Sequence, residues 1–233
     1  MDKIVCVIPA RYASTRFPGK SLGKIHGKPM IWWVYQNAKK VDQISEVFVA
    51  TDDKRISDAC DKYNMNYIMT SRDHACGTDR MSEVANKISA DYYINLQGDE
   101  PMILPDTIKK VIEIDSDIVN LMTRIKRKSD IHDPTVPKVV VDRNNFALFF
   151  SRYPIPYSKD DSPTYYKQVC VYKFTPESLF QFNRLERGYI ERCEGIEMLR
   201  LIENGIPLKM GIVDKDAVAV DVPEDLKLVN ELI

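Results

Sequence analysis

Apolar runs alternate with amphipathic stretches along the first half of the chain. The first run, residues 4–8 (IVCVI), is unbroken, which is typical of a strand buried on both faces of a parallel sheet. Further strands are predicted at 46–50, 66–69 and 92–96, with helices at 29–40, 51–63, 78–89 and 105–114. This alternation indicates βαβ units and a parallel sheet with right-handed crossovers.

The second half has a different pattern, in which strands are separated mainly by turns. Strands are predicted at 118–124, 138–141, 146–151, 168–174 and 207–213, and helices at 176–183, 196–204 and 223–232. The pattern predicts an α/β fold with a single mixed, mainly parallel sheet flanked by helices. The strands between about 118 and 174 form an excursion from that sheet, and no linker divides residues 1–233 into separate domains.

A basic loop follows the first predicted strand. Residues 10–28 contain no acidic side chain, whereas the cations are Arg11, Arg16, Lys20, Lys24 and Lys28. Ligands of open α/β sheets bind beyond the carboxyl ends of the strands, so this loop is placed to bind an anion. It is not a P-loop, because Ser14 stands where the first glycine belongs and no helix is predicted to begin at Ser21. The loop instead indicates a polyphosphate cradle, and the alternative interpretation is a solvated basic loop.

Two aspartates are expected at the same edge of the sheet. Asp99 follows the strand predicted at 92–96, and Asp221 follows an apolar stretch, 218–220, that reads as a strand. Carboxylates next to polyphosphate are typical ligands of Mg²⁺, which binds few protein groups and keeps several waters. The alternatives are an ordinary turn aspartate at Asp99 and a helix N-cap at Asp221. We therefore expect a Mg²⁺ site that uses Asp99 and Asp221.

Composition and charge exclude several classes of protein. The chain has 233 residues and a net charge of -1, so no overall positive field would attract nucleic acid. No apolar stretch approaches the roughly 20 residues of a membrane span, and we expect neither a membrane helix nor a signal peptide. The five cysteines show no metal-ligand spacing, and their odd number argues against a disulfide framework. These features predict a protein of the reducing cytoplasm.

Several motifs together resemble one enzyme family. They are residues 8–20 (IPARYASTRFPGK), 27–30 (GKPM), 50–52 (ATD), 77–80 (GTDR), 95–102 (NLQGDEPM), 138–140 (KVV), 150–152 (FSR) and 220–226 (VDVPEDL). In this order they resemble the 3-deoxy-manno-octulosonate (Kdo) cytidylyltransferases, also called CMP-Kdo synthetases. The related sialic-acid cytidylyltransferases differ in the opening loop after Pro-Ala-Arg.

The resemblance implies a fold like that of nucleotide-diphospho-sugar transferases and a defined reaction. CTP and a 2-keto-3-deoxy sugar acid would give the CMP-sugar and pyrophosphate, for the synthesis of surface polysaccharide such as lipopolysaccharide or capsule. Residues 1–115 would mainly bind CTP, and residues 116–233 would mainly bind the sugar and form a homodimer through the strand excursion. The implied partners are CTP and a keto-acid sugar.

The same resemblance assigns roles to individual residues. On the nucleotide side, the phosphate-binding residues would be Arg11, Ser14 and Lys20, with Ala75 and Gly77 near the cytosine. Asp99 and Asp221 would hold Mg²⁺ and, with Lys20 and Arg11, form the catalytic set. The sugar-side residues would be Arg16, Arg80, Gln97, Arg152, Gln168, Tyr172, Glu191 and Glu194.

The sequence departs from the family pattern on the sugar side. Gln168 stands where the family usually has histidine, Arg192 stands where it usually has glutamine or histidine, and the stretch 156–168 is shorter than usual. The sequence therefore constrains the identity of the acceptor sugar less than it constrains the identity of the nucleotide, CTP. Kdo, its 8-amino analogue, another keto-acid sugar and a phosphonate stay open, as do a nucleotide sensor without activity and a sugar-1-phosphate nucleotidyltransferase.

Overall fold

The strand predicted from the first apolar run, β1 (Ile4–Ala10), lies inside the central sheet of the computed structural model. The structure describes residues 2–13, 17–161, 163–214 and 218–233. Cys6 and Ile8 pack into a core on one face of the sheet, and Val5 and Val7 pack into a second core on the other face. All four side chains are fully buried, which explains why the run contains no polar position.

The strands of the described residues are β1, β2 (Lys24–Ile25), β3 (Lys28–Pro29), β4 (Glu46–Thr51), β5 (Tyr67–Met69), β6 (Tyr92–Leu96), β7 (Ile118–Arg124), β8 (Lys138–Val141), β9 (Ala147–Ser151), β10 (Tyr166–Phe174) and β11 (Lys209–Val213). The helices are α1 (Met30–Lys39), α2 (Lys54–Lys62), α3 (Gly77–Ala85), α4 (Pro105–Glu113), α5 (Lys128–His132), α6 (Pro176–Arg184), α7 (Tyr189–Glu194), α8 (Leu199–Glu203) and α9 (Pro223–Leu232). A 3-10 turn spans Lys20–Leu22.

The main sheet is mixed and mainly parallel, as the sequence predicts. Its strand order is β11-β7-β10-β6-β1-β4-β5. The pairs β1/β4, β1/β6, β4/β5 and β7/β11 are parallel. β10 runs antiparallel between β6 and β7, and so joins the strands of the two halves of the chain in one sheet.

The strand excursion predicted over about 118–174 is too wide, because β7 and β10 are strands of the main sheet; among the described strands of this range, β8 and β9 lie off it. β8 pairs with β10 through Lys138 and Val139, and β9 pairs with β8. The use of this excursion in dimerisation stays a prediction. In the described part of the chain, no helix is long and apolar enough to cross a membrane.

One predicted strand is wrong. Residues 218–220, ahead of Asp221, do not form a strand, although Val220 is buried. The segment instead runs to α9, and the backbone N–H of Val220 donates to the carbonyl oxygen of Asp99 at 2.9 Å. This hydrogen bond, rather than a strand end, brings Asp221 to the edge of the sheet.

Candidate active site

A cleft of about 780 Å³ opens beyond the carboxyl ends of β1 and β6. Its lining joins the start of the opening loop, the segment after β6, the N-terminus of α3, part of β10 and the segment before α9. Thirteen residues named from the sequence analysis are among the described ones, and those that line the cleft are Arg11, Lys20, Ala75, Gly77, Arg80, Gln97, Asp99, Arg152, Gln168, Tyr172, Glu191 and Asp221. Ser14 and Arg16 lie outside the described residues.

Near the end of the opening loop, the backbone conformation at Gly19 requires a glycine. This residue has a φ of 70°, in the left-handed region, and its N–H donates to the carbonyl oxygen of Tyr12 at 2.8 Å. A Cβ at Gly19 would lie 2.8 Å from Cε2 of Tyr12, so a side chain there would collide with the ring. The 3-10 turn that follows begins with Lys20, whose side chain enters the cleft.

Lys20 joins the two aspartates named from the sequence. Its Nζ lies 2.6 Å from Oδ2 of Asp99 and 3.5 Å from Oδ1 of Asp221, and it donates to the carbonyl oxygen of Val220 at 3.2 Å. The side chain of Lys20 is 17% exposed. Burial alone lowers the pKa of Lys20, but the charges of Asp99 and Asp221 outweigh burial and raise its pKa above the ordinary value. Lys20 is therefore a fixed cation in the cleft.

Asp99 and Asp221 are suited to a hard cation such as Mg²⁺. Both are carboxylates, and Asp221 is held in place because its backbone N–H donates to Oδ2 of Asp225 at 2.8 Å. Among the described residues there is no cluster of three or more metal-ligating side chains. This donor set fits Mg²⁺, which typically takes one or two carboxylates and completes its shell with water and substrate phosphates.

The N-terminus of α3 forms another wall of the cleft. A Cβ at Gly77 would lie 2.9 Å from Nε2 of Gln97, so glycine allows the helix to approach the end of β6 closely. Ala75 and Gly77 both line the cleft. Small residues in this wall leave room for a flat base to approach the backbone. Recognition of cytosine by backbone groups near Ala75 and Gly77 stays a prediction.

Arg80 is a buried cation at the same helix. It is 4% exposed, donates to Thr70 and to the carbonyl oxygen of Ser71, and lies 3.4 Å from Oδ1 of Asp52. Burial lowers the pKa of Arg80, and the charge of Asp52 opposes that shift. The guanidinium is thus held rigidly where it lines the cleft.

Glu197 is a cleft residue that the sequence analysis missed. Its carboxylate accepts hydrogen bonds from Nε2 of Gln97 at 3.2 Å and from the backbone N–H of Thr78 at 3.1 Å. Burial raises the pKa of Glu197, while hydrogen bonds from Cys76 and Thr78 oppose the shift. Glu197 lies 100 positions from Gln97 in the chain, so no local sequence pattern indicates that the two residues meet.

Arg152 is fixed by backbone oxygens. Its Nε donates to the carbonyl oxygen of Glu194 at 2.6 Å, and one terminal nitrogen donates to that of Pro134 at 2.7 Å. The Glu194 carboxylate accepts from Oγ of Ser151 and from the backbone N–H of Arg152, both at 2.7 Å. Arg152 lines the cleft, whereas Glu194 supports it from behind. Direct contact between Glu194 and a sugar stays a prediction.

Glu191 is also engaged with protein partners. It is 1% exposed and accepts from Arg200 at 2.8 Å and from Arg187 at 3.0 Å. Arg200 also donates to Asp79 at 2.7 Å, so one buried cation ties α8 to α7 and α3. Burial lowers the pKa of Arg200, but its bonds to the two carboxylates raise it well above the ordinary value. A sugar-binding role for Glu191 stays a prediction.

β10 supplies the remaining wall. Gln168 and Tyr172 line the cleft with Lys167 and Cys170, two residues that the sequence analysis did not propose. Burial raises the pKa of Tyr172 well above its ordinary value, so it serves as a neutral phenol. Arg192, which stands where the family usually has glutamine or histidine, is exposed, donates to the carbonyl oxygen of Arg187 and does not line the cleft. Arg127 and Arg187 line it instead.

The chain is similar to known cytidylyltransferases over most of its length. The cytidylyltransferase family model matches residues 5–212. The 3-deoxy-manno-octulosonate cytidylyltransferase of Thermodesulfovibrio yellowstonii is 40% identical, with 98% of this chain and 97% of the relative covered. The 8-amino-3,8-dideoxy-manno-octulosonate cytidylyltransferase of Shewanella baltica is also 40% identical, with 96% of each chain covered.

A solved structure has the same fold over almost the whole chain. It is a CMP:2-keto-3-deoxy-manno-octonic acid synthetase complexed with CTP, 40% identical, with a TM-score of 0.92 and with 99% of this chain and 98% of that chain covered. The identities and the coverage confirm the resemblance seen in the motifs. The chain belongs to the 3-deoxy-manno-octulosonate cytidylyltransferase family.

Proposed function

We propose that this chain transfers CMP from CTP to the anomeric hydroxyl of Kdo and releases pyrophosphate. The observation that carries the proposal is the cluster of Lys20, Asp99 and Asp221 in the cleft. A cation and two carboxylates at the edge of the sheet where the parallel strands β1 and β6 end suit a metal-bound nucleoside triphosphate. Relatives that are named for this reaction, at about 40% identity, support the choice of CTP and Kdo.

The residues assigned to the site divide into two groups in this proposal. Arg11 and Lys20, with Ser14 from the sequence motif, bind the phosphates of CTP, and Ala75 and Gly77 lie near its base. The sugar-side residues are Arg16, Arg80, Gln97, Arg152, Gln168, Tyr172, Glu191 and Glu194, to which the structure adds Glu197 as a cleft residue. Arginine suits a carboxylate because its planar guanidinium can donate two parallel hydrogen bonds.

Asp99 and Asp221 would hold Mg²⁺ in this cleft. When bound, the ion would neutralise charge that develops on the phosphates during transfer. The anomeric oxygen forms a bond to the α-phosphorus as the bond to the pyrophosphate oxygen breaks, so no covalent enzyme intermediate is needed. The work of the protein is then to position the two substrates and to neutralise charge.

The 8-amino analogue of Kdo is the second candidate acceptor. The relative from Shewanella baltica, named for that sugar, is as similar to this chain as the relative named for Kdo. Gln168 can form hydrogen bonds with a hydroxyl or an ammonium group. Other keto-acid sugars and phosphonates belong in the same comparison.

The proposal extends to assembly and location. A homodimer through the excursion of β8 and β9 is supported by exposed apolar side chains on and after β9: Leu148 is 57% exposed and Tyr153 is 80% exposed. The absence of a membrane-spanning helix in the described part of the chain agrees with an enzyme that uses CTP in the cytoplasm. The product would feed the synthesis of lipopolysaccharide or capsule.

Pyrophosphate release tests the proposal. The enzyme is incubated with Mg²⁺ and one of CTP, UTP, ATP or GTP, together with Kdo, its 8-amino analogue, N-acetylneuraminate or phosphonoformate. We expect release with CTP and an octulosonate, and a product with the mass of the CMP-sugar. Faster release with another nucleotide, or no release with either octulosonate, would contradict the proposal.

A further inference from the structure

A β-bulge interrupts β10 where it lines the cleft. The register with β7 shifts between Val169 and Tyr172, so that Cys170 and Val171 have no paired residue in β7. On the β7 side, the carbonyl oxygens of Val169 and Val171 each accept a hydrogen bond from Nδ2 of Asn120 at 2.8 Å. Asn120 is fully buried. Its side chain therefore replaces the backbone hydrogen bonds that the bulge removes.

These two carbonyls determine the orientation of the Asn120 amide. A carbonyl oxygen only accepts hydrogen bonds, so the NH₂ group of Asn120 must face Val169 and Val171. Its Oδ1 then faces the other way and accepts from Nε2 of Gln168 at 3.0 Å. The orientation of the Gln168 amide follows in turn, since only its NH₂ group can donate to Oδ1.

The fixed orientation of Gln168 determines what it presents to a ligand. Gln168 is 7% exposed and lines the cleft. With Nε2 held by Asn120, Oε1 is the branch of the amide that has no hydrogen bond to any described residue. This oxygen can only accept, so it favours a ligand group that donates, such as a hydroxyl or an ammonium.

We propose that Asn120 is a positioning residue of the acceptor site, and that it fixes Gln168 so that Oε1 selects a sugar with a hydrogen-bond donor at that place. The inference rests on the proposed function, because it takes the ligand of this wall to be the acceptor sugar. The same bulge lies beside the end of β6, where the backbone N–H of Gln97 donates to the carbonyl oxygen of Cys170 at 3.3 Å. Asn120 thus acts through Gln168 and touches no substrate itself.

The first part of the test compares substrates in the native enzyme and in Gln168→Met. The substrates are Kdo and a set of Kdo analogues that each lack one hydroxyl. In the native enzyme we expect one analogue to have a kcat/KM about 10-fold below that of Kdo, the scale of one neutral hydrogen bond. In Gln168→Met, which cannot accept this bond, Kdo and that analogue should differ by less than about twofold, with KM for CTP unchanged.

The second part asks whether Asn120 acts through Gln168. Asn120→Ala should show the same loss of discrimination, although Gln168 is intact, and should raise KM for Kdo without raising KM for CTP. Val119→Ala is the matched control, because Val119 is fully buried next to Asn120 in β7 but has no amide group that could hold the bulge or Gln168. The control should lose stability yet retain the native discrimination. If Asn120→Ala does not fold, Asn120→Ser is measured in the same way.

The outcomes separate the inference from the proposed function. A native enzyme that turns over neither Kdo nor its 8-amino analogue with CTP overturns the proposed function, and the inference with it. If the native enzyme is active but Gln168→Met keeps the discrimination, selection by Oε1 is wrong. If Gln168→Met loses the discrimination but the Asn120 variant keeps it, positioning by Asn120 is wrong.

Discussion

Lys20 is a charged residue of the cleft that is held by three protein groups. It contacts Asp99, Asp221 and the carbonyl oxygen of Val220, and its pKa is raised by the two carboxylates despite burial. A lysine is a compact point charge, which suits a phosphate oxygen better than a planar carboxylate. The residue therefore links the two acidic side chains to the nucleotide side of the cleft.

Lys20→Ala should weaken the use of CTP more than the use of the sugar. We expect KM for CTP to rise at least about 10-fold, the cost of one charge-assisted hydrogen bond, with a smaller change in KM for Kdo. Steady-state kinetics with each substrate varied in turn measures both values. Lys24→Ala serves as the control, because this lysine of the same basic loop is exposed, lies over the ring of Tyr63 and does not line the cleft; it should leave both values unchanged. Equal increases in both KM values in Lys20→Ala would contradict this assignment.

Glu197→Gln should change how stability depends on pH. The pKa of Glu197 is raised by burial, so above the unfolded carboxyl pKa of about 4.3 the folded chain binds more protons than the unfolded chain. The native free energy of unfolding therefore falls as the pH rises towards the folded pKa of Glu197. The variant lacks this fall. Urea unfolding at a series of pH values measures it, and parallel curves for the two proteins would rule out a raised pKa.

At the level of secondary structure, a buried ion network joins three helices behind the cleft. Arg200 is 2% exposed and donates to Asp79 of α3 and to Glu191 of α7, and its guanidinium lies 4.2 Å from the ring centre of Phe182 in α6. Because Glu197 lies two residues before the start of α8, the network also helps to hold that carboxylate in the cleft.

Arg200→Met should strongly destabilise the fold. The substitution leaves Asp79 buried without its cation and Glu191 with only the more exposed Arg187 as partner. Removing one partner of a buried ion pair typically costs about 3–5 kcal/mol in the free energy of unfolding. Arg187→Met is the matched control, since Arg187 pairs with the same Glu191 but its side chain is 43% exposed, and its loss should cost at most about 1 kcal/mol. Chemical denaturation measures both. A loss below that of the control would show that the network does not stabilise the helices.

Most of the elements could be predicted from the sequence, because they carry local signals. β8 (Lys138–Val141) and α9 (Pro223–Leu232) have the predicted bounds, the latter with proline at its first turn. The short helices α5 and α7 were missed because five or six residues give little periodicity. The stretch 218–220 was misread as a strand because its apolar residues pack against α9, with Val220 and Val229 in one small core.

Residues of the site, like the elements of the fold, could be predicted where the signal is local in sequence. Residues in long motifs, such as Lys20 and Asp99, were found because their neighbours in sequence identify them. Glu197 and Asn120 were missed because their roles come from partners 100 and 48 positions away, at Gln97 and Gln168. Such contacts depend on strand order and on a bulge, and neither can be read from local pattern.

At the scale of the whole molecule, β10 joins the two halves of the chain. It pairs with β6 of the first half and with β7 of the second, so the cleft is built across one sheet. β8 and β9 extend from the end of β10 and leave Leu148 and Tyr153 exposed. Exposed apolar side chains of this kind suit a contact between two copies of the chain.

The protein should be a homodimer in solution, as the family resemblance and this surface indicate. Multi-angle light scattering at micromolar concentration should give twice the mass of the chain. Leu148→Asp, which places a charge on the exposed face of β9, should shift the mass towards the monomer, whereas Leu232→Asp, at an exposed leucine in α9, should not. A native monomer under these conditions would exclude the dimer.

The central claim is that Lys20, Asp99 and Asp221 mark the centre of Mg²⁺-dependent cytidylyl transfer. The most direct test is pyrophosphate release at saturating CTP and Kdo as Mg²⁺ is varied, in the native enzyme, Asp99→Asn, Asp221→Asn and the control Asp106→Asn, an exposed residue of α4. We predict that release requires Mg²⁺, that each cleft variant is at least about 10²-fold slower, and that the control matches the native enzyme. Release without Mg²⁺, or near-native turnover in either cleft variant, would contradict the account.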